Sequence, residues 1–77
     1  MPHITVKMLH GRSDAQKQAA AEKLTAALAE ALGCGAAHIT LAVEEYTPQE
    51  WQDVFRTEIA GNPALLVQPQ YDPKDLL

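Results

Sequence analysis

Two stretches of the chain alternate apolar and polar side chains. The first runs from Pro2 to Leu9 and the second from His38 to Glu45. This two-residue period is that of a β-strand with one face buried and the other in water. The apolar sides hold Ile4, Val6 and Met8 in the first stretch and Ile39, Leu41 and Val43 in the second. Each stretch therefore predicts a half-buried strand.

Between these stretches the apolar period changes to that of a helix. Apolar side chains recur at spacings of three and four residues; they are Ala20, Leu24, Ala27, Leu28, Ala31 and Leu32. Ser13 with Gln16 three residues later has the form of a capping box, and Gly33 supplies a left-handed stop. The pattern predicts a helix of about 20 residues with one dry face.

A second capping box, Thr47 with Glu50, follows the second strand, and Pro48 suits the first helical position. It predicts a short helix from Gln49 to about Arg56. The apolar stripe of this helix holds Trp51, Val54 and Phe55. Residues 64–67 predict a brief further strand, and the tail to Leu77 shows no clear period.

These elements predict an α+β fold in a single domain over residues 1–77. Two parallel strands, one long helix and a short second helix form a βαβ protomer with a right-handed crossover. Two strands leave two open edges, so we expect dimerisation to complete a four-stranded sheet. The other sheet face is too polar for a large dry interface, which favours a homodimer over a hexamer; it carries His3, Thr5, Lys7, Thr40 and Glu44.

Charge and composition exclude several classes of protein. The net charge is −4, and the six basic residues are scattered, which argues against a nucleic-acid partner. No stretch is long and apolar enough to span a membrane, and the single cysteine, Cys34, suits a reducing cytoplasm. The three histidines lack the spacing of metal ligands, so we expect no metal; they are His3, His10 and His38.

Pro2 is the first candidate for chemistry. Methionine is commonly removed from in front of proline, so we expect Met1 to be lost and the Pro2 amine to be free. An α-amino group titrates closer to neutrality than lysine, and burial or a nearby cation lowers its pKa further. Such an amine can accept a proton and return it to another atom. On its own, however, a proline at position 2 more often has no catalytic role and is simply tolerated there.

Arg12 and Trp51 are the other candidates. The guanidinium of Arg12 offers a planar fork for a carboxylate, and Trp51 offers a flat apolar wall that excludes water. Both have a structural interpretation as well. An arginine near a helix start is usually a solvated charge, and a tryptophan at helical spacing from Phe55 is more often part of a core.

Together these features resemble the 4-oxalocrotonate tautomerase family. The resemblance rests on Pro2, the strand ITVKML, and the segment GRSD followed by Gln16 and Lys17. It extends to about Trp51 and is greatest for the short dimeric branch that tautomerises phenylpyruvate-like enols. It implies a βαβ protomer, a dimeric building block and no cofactor.

The resemblance also implies roles for single residues. Pro2 would be the catalytic base, Arg12 would bind the substrate carboxylate, and Trp51 would line the pocket. The second arginine typical of the family falls at Thr40. The expected activity is therefore keto–enol tautomerisation of a monocarboxylate with an apolar or aromatic end, such as phenylenolpyruvate.

Two other functions remain open at this point. One is hydration or dehalogenation of a 3-substituted acrylate, with a protonated Pro2 as the acid and Asp53, Glu44 or Glu50 activating water. The other is a non-catalytic homodimeric scaffold.

Overall fold

The computed structural model describes residues 1–77. Strand β1 (His3–Leu9), helix α1 (Asp14–Leu32), strand β2 (Thr40–Tyr46) and helix α2 (Pro48–Val54) follow one another along the chain. Shorter turns are a 3-10 turn (Ala36–His38), a π-helical turn (Phe55–Ile59) and a C-terminal 3-10 turn (Pro73–Leu76). Contacts divide the chain into two compact units, Met1–Glu45 and Tyr46–Leu77. The predicted α+β class with a βαβ core and a short second helix is confirmed.

The first unit is built on a parallel pair of strands. β1 and β2 form a two-stranded sheet. His3 Nδ1 lies 2.5 Å from Thr40 Oγ1, and Lys7 Nζ donates to Glu44 Oε1 at 2.8 Å. Both pairs join residues 37 positions apart, so the two strands run in the same direction. The two pairs cross the sheet on its polar face.

Both strands start slightly later than their sequence pattern predicts. β1 begins at His3 because Pro2 has no N–H to give to a strand ladder. β2 begins at Thr40 because the preceding residues form a 3-10 turn. In this turn the His38 N–H donates to the Gly35 carbonyl at 3.0 Å, and the Ile39 N–H donates to the Ala36 carbonyl at 3.1 Å.

Helix α1 has the predicted ends. The Gln16 N–H donates to Ser13 Oγ at 3.1 Å, and the Ser13 N–H donates to Gln16 Oε1 at 2.9 Å, which completes the capping box. Gly33 closes the helix with φ 67°, a left-handed conformation that a side chain disfavours. The prediction that α1 buries one apolar face is wrong for the single protomer, however. No residue of α1 is buried, and Leu24 and Leu32 are exposed, because a sheet of two strands is too narrow to cover the apolar stripe.

The second unit begins with the capped helix α2. Thr47 Oγ1 accepts from the Glu50 N–H at 3.1 Å, and Glu50 Oε1 accepts from the Thr47 N–H at 2.8 Å. Trp51 and Val54 of the predicted apolar stripe are buried, and the only other buried residue of the chain is Ile39. A core of three residues is marginal for one protomer.

The brief strand predicted for residues 64–67 is wrong. Asn62 folds this segment into turns, since its Oδ1 accepts from the Ala64 N–H at 2.9 Å and its carbonyl accepts from the Leu65 N–H at 3.2 Å. Leu66 and Val67 follow with 96% and 83% of their surfaces exposed. The apolar run therefore has no strand partner within the protomer.

Ser13→Ala should lower the stability of the folded protein by about 1 kcal/mol, because the cap of α1 loses its side-chain acceptor. This corresponds to a fall in Tm of about 4–8 °C, measured by circular dichroism at one fixed protomer concentration. Ser13→Asp is the matched control, since aspartate also caps helices. Equal Tm values for Ser13→Ala and Ser13→Asp would contradict this reading of the cap.

Candidate active site

Pro2 is held at the start of the sheet. The carbonyl oxygen of Pro2 accepts a hydrogen bond from the Thr40 N–H at 3.2 Å, and Pro2 is half-buried. The neighbouring imidazole of His3 contacts the Thr40 hydroxyl, so both residues at the start of β1 are tied to β2. Pro2 is thus attached to a hydrogen-bonded strand end, and the neighbouring Met1 is exposed.

Arg12 lies on the loop between β1 and α1. Gly11 before it has φ 131°, a conformation that favours glycine, and Ser13 after it caps α1. Arg12 is exposed and makes no hydrogen bond or ion pair with its own chain. A cation near a helix N-terminus gains nothing from the helix dipole. The loop therefore presents a guanidinium that is free to bind an anion.

An ion pair anchors the start of α1 beside this loop. Lys17 Nζ donates to Glu45 Oε1 of β2 at 2.7 Å, and it lies 3.4 Å from Asp14 Oδ1. The hydrogen bond from Lys17 lowers the pKa of the Glu45 carboxyl against the opposing effect of burial, and it raises the pKa of Lys17. His10 Nδ1 lies 3.8 Å from the other carboxylate oxygen. The Asp14 end of the GRSD segment is thus linked to β2 through Lys17.

Pro2 and Arg12 lie at opposite ends of β1. The strand has seven residues, which span roughly 23 Å at the rise of an extended chain. A small molecule that touches Pro2 is beyond the reach of Arg12 in the same protomer. The structure instead joins Pro2 to Thr40, whose N–H donates to the Pro2 carbonyl.

Trp51 belongs to the second unit and is buried there. Its indole N–H donates to the Tyr71 hydroxyl at 3.0 Å, and its ring meets the Tyr46 ring edge to face with centroids 6.2 Å apart. Only 9% of its surface is accessible. The structural interpretation of Trp51 as a core residue therefore holds within the protomer.

Two residues that contact predicted site or loop residues had no role in the sequence analysis. Glu45 anchors Lys17 across 28 positions, and Tyr71 accepts from Trp51 across 20 positions. No local sequence pattern predicts a contact between residues so far apart. An aromatic residue between the polar Gln70 and Asp72 was the only available signal for Tyr71.

Each carboxylate considered for activating water already accepts a hydrogen bond from another group of the chain. Glu44 accepts from Lys7, Glu50 caps α2, and Asp53 Oδ1 accepts from Arg56 at 3.1 Å. The chain contains no group of three or more histidine, cysteine or carboxylate side chains placed to hold a metal ion. None of its helices combines the length and the apolar character needed to cross a bilayer.

Comparison with known proteins gives one consistent result. Residues 2–53 match the family described as tautomerase enzyme. A probable tautomerase of Xylella fastidiosa (strain 9a5c) is 38% identical over 73 residues, covering 92% of this chain and 89% of that protein. A 2-hydroxymuconate tautomerase of Bacillus subtilis (strain 168) is 47% identical over 45 residues, covering 58% and 73%.

The fold comparison agrees. A heterohexamer 4-oxalocrotonate tautomerase from Chloroflexus aurantiacus superposes with a TM-score of 0.64 and 37% identity, covering 66% of this chain and 82% of that chain. The βαβ unit that begins directly after Pro2 thus defines a small tautomerase-type protein. The chain belongs to the tautomerase family, as the sequence resemblance predicted, and it is a keto–enol tautomerase and hence an isomerase.

Glu45→Gln should lower the Tm near neutral pH, because it removes the charged partner of Lys17. The lowered pKa of Glu45 means that its contribution is present above the ordinary value of 4.5 and is lost as the pH falls through the folded-state value. The Tm difference from wild type should therefore shrink in acid. Thermal melts across this pH range test it, with Asp53→Asn, which breaks an exposed ion pair, as the control. A difference that persists unchanged in acid contradicts the assignment.

Proposed function

We propose that the protein converts a 2-hydroxy-2-enoate with an apolar or aromatic end into the 2-oxo acid, with Pro2 as the proton carrier. Loss of Met1 frees the ring nitrogen, whose lone pair accepts the proton of the enol hydroxyl. The oxygen electrons form the C2 carbonyl, and the electrons of the C2–C3 double bond take a proton at C3 from the same nitrogen. The net change is an isomerisation, the proline is restored, and no cofactor enters.

The observation that carries this proposal is the anchoring of Pro2 to Thr40 in a chain of the tautomerase family. A proton carrier works best when its lone pair has a fixed direction relative to the substrate. The hydrogen bond from the Thr40 N–H fixes the carbonyl of Pro2, and the proline ring leaves its nitrogen little further freedom. A free terminal amine at this position is thus oriented by the sheet.

Arg12 is the proposed carboxylate ligand, contributed by a second protomer. Since Arg12 and Pro2 lie at opposite ends of β1, one protomer does not complete the site. In an antiparallel pair of protomers, the Arg12 end of one β1 approaches the partner's Pro2. A guanidinium there would bind the substrate carboxylate and would also disfavour the protonated form of the proline amine.

A homodimer fits the burial pattern of the protomer. The two-stranded sheet has open edges, and Leu24 and Leu32 of α1 are exposed. A four-stranded sheet shared by two protomers would be wide enough to cover these side chains. A hexamer would require a further apolar face, and the polar face of the sheet is occupied by the His3–Thr40 and Lys7–Glu44 pairs.

Thr40 supports the proposed substrate class. This residue stands where the family typically has a second arginine, and its hydroxyl is engaged by His3. No cation is therefore available at this position for a second carboxylate. A monocarboxylate with an apolar or aromatic end is favoured, with Trp51 providing the proposed apolar contact. The lone cysteine supports a cytoplasmic location.

Hydration or dehalogenation of an acrylate finds less support. Both reactions need a carboxylate that is free to activate water near the proline. The three carboxylates considered for this role are held by Lys7, by the N-terminus of α2 and by Arg56.

Pro2→Ala should reduce kcat/KM for phenylenolpyruvate ketonisation by about 100- to 10,000-fold, the usual contribution of a general base. Loss of the ultraviolet absorbance of the enol measures the rate. Protein that retains Met1, verified by intact mass, should be similarly impaired because its nitrogen is acylated. Pro69→Ala is the control, since Pro69 lies in the exposed tail. Equal rates for wild type, Pro2→Ala and the Met1 form would exclude the catalytic role.

The shared site predicts complementation between two inactive variants. Pro2→Ala and Arg12→Ala proteins, unfolded together in equal amounts and refolded, should recover about a quarter of wild-type activity. Half of the dimers then contain both variants, and each of these has one intact site. Sedimentation analysis checks that dimers form. If Arg12 instead serves its own protomer, the mixture stays as inactive as its components.

A further inference from the structure

The aromatic side chains of the chain all lie in the second unit and contact one another. The chain has one tryptophan, two tyrosines and one phenylalanine. The Tyr46 and Trp51 rings meet edge to face, and the Phe55 and Tyr71 rings do so with centroids 5.7 Å apart. The hydrogen bond between Trp51 and Tyr71 joins these two pairs. Tyr71, alone among them, comes from the C-terminal tail.

The tail is fastened to α2 at two points. Trp51 Nε1 donates to Tyr71 Oη at 3.0 Å, and the next residue, Gln52, donates from Nε2 to the Pro73 carbonyl at 2.7 Å. Asp72 lies between the two points of attachment and accepts from the Lys74 N–H at 3.0 Å, which begins the final 3-10 turn. Residues 71–76 thus form a C-terminal strap across α2.

The strap determines the orientation of the indole. The ring has one polar group, its N–H, and a buried N–H without a partner is costly. Tyr71 Oη satisfies this donor in the observed orientation, and turning the ring over would remove the bond. Since 9% of the Trp51 surface is accessible, the orientation decides which part of the ring a ligand can touch.

We propose that Tyr71 is a positioning residue that holds Trp51 and thereby sets the preference of the enzyme for substrates with an aromatic end. This inference rests on the proposed function, in which Trp51 contacts that end of the substrate. Tyr71 itself acts only through Trp51. It lies beyond residues 2–53, the part of the chain that matches the tautomerase family, so the strap adds a determinant of specificity outside the shared βαβ core.

Tyr71→Phe tests this with little change in volume. It keeps the ring that packs on Phe55 and removes the acceptor for the indole N–H. KM for phenylenolpyruvate should rise about fivefold, the effect of losing one hydrogen bond of ordinary strength. KM for the aliphatic enol 2-hydroxy-2-pentenoate, and kcat for both substrates, should stay near their wild-type values. A uniform structural defect would impair both substrates.

Fluorescence gives a readout that does not depend on activity, because Trp51 is the single tryptophan. Acrylamide quenching of its emission should rise in Tyr71→Phe as the strap loosens. Tyr46→Phe is the matched control, since it removes a hydroxyl from the same cluster but leaves the indole hydrogen bond. Its quenching and its substrate preference should change less than those of Tyr71→Phe.

The outcomes separate this inference from the proposed function. Unchanged quenching in Tyr71→Phe, or increased quenching with an unchanged preference between the two enols, overturns the role of Tyr71 while the wild type remains active. Equal losses on both enols overturn it as well. A wild type that ketonises neither enol overturns the proposed function, and with it the claim about substrate preference.

Discussion

The parallel pairing of β1 with β2 is the constraint on which the rest of the structure depends. Parallel neighbours cannot be joined by a tight turn, so the chain needs the long crossover helix α1 between them. The register places Thr40 beside the start of β1, where it holds Pro2, and it places Glu45 where it can hold Lys17. One pairing therefore organises both the proline end and the arginine end of the unit.

The same pairing makes the protomer incomplete. A sheet of two strands covers only part of one helix, so α1 has no buried residue and the chain buries three side chains in all. It also separates Pro2 from Arg12 by the length of β1. The proposed second protomer in antiparallel orientation would supply the missing apolar cover and would also complete the proposed site. Stability and catalysis are then coupled, because a dissociated protomer would lose both.

Local patterns in the sequence were sufficient for most of the fold. The two capping boxes located the starts of both helices, and the alternation of side chains located both strands, since these signals depend on residues within one turn or one strand. The strand predicted at residues 64–67 failed because a strand exists only with a neighbour, and Asn62 offers the backbone local turns instead. The contacts of Glu45 and Tyr71 could not be predicted, because each joins residues 20 or more positions apart.

The division of the chain suggests why specificity and chemistry are carried by different segments. The proposed proton carrier needs a rigid strand, and a shift in the register of β1 against β2 would displace the Thr40 N–H that anchors Pro2. The strap is attached to α2 by two side-chain hydrogen bonds and takes no part in the sheet. Substitutions in the strap would change the hydrogen bonds to Trp51 and Gln52, neither of which is part of the pairing between β1 and β2. A tail that is free to vary on a constrained βαβ core would allow one proton-transfer reaction to serve enols with different side chains.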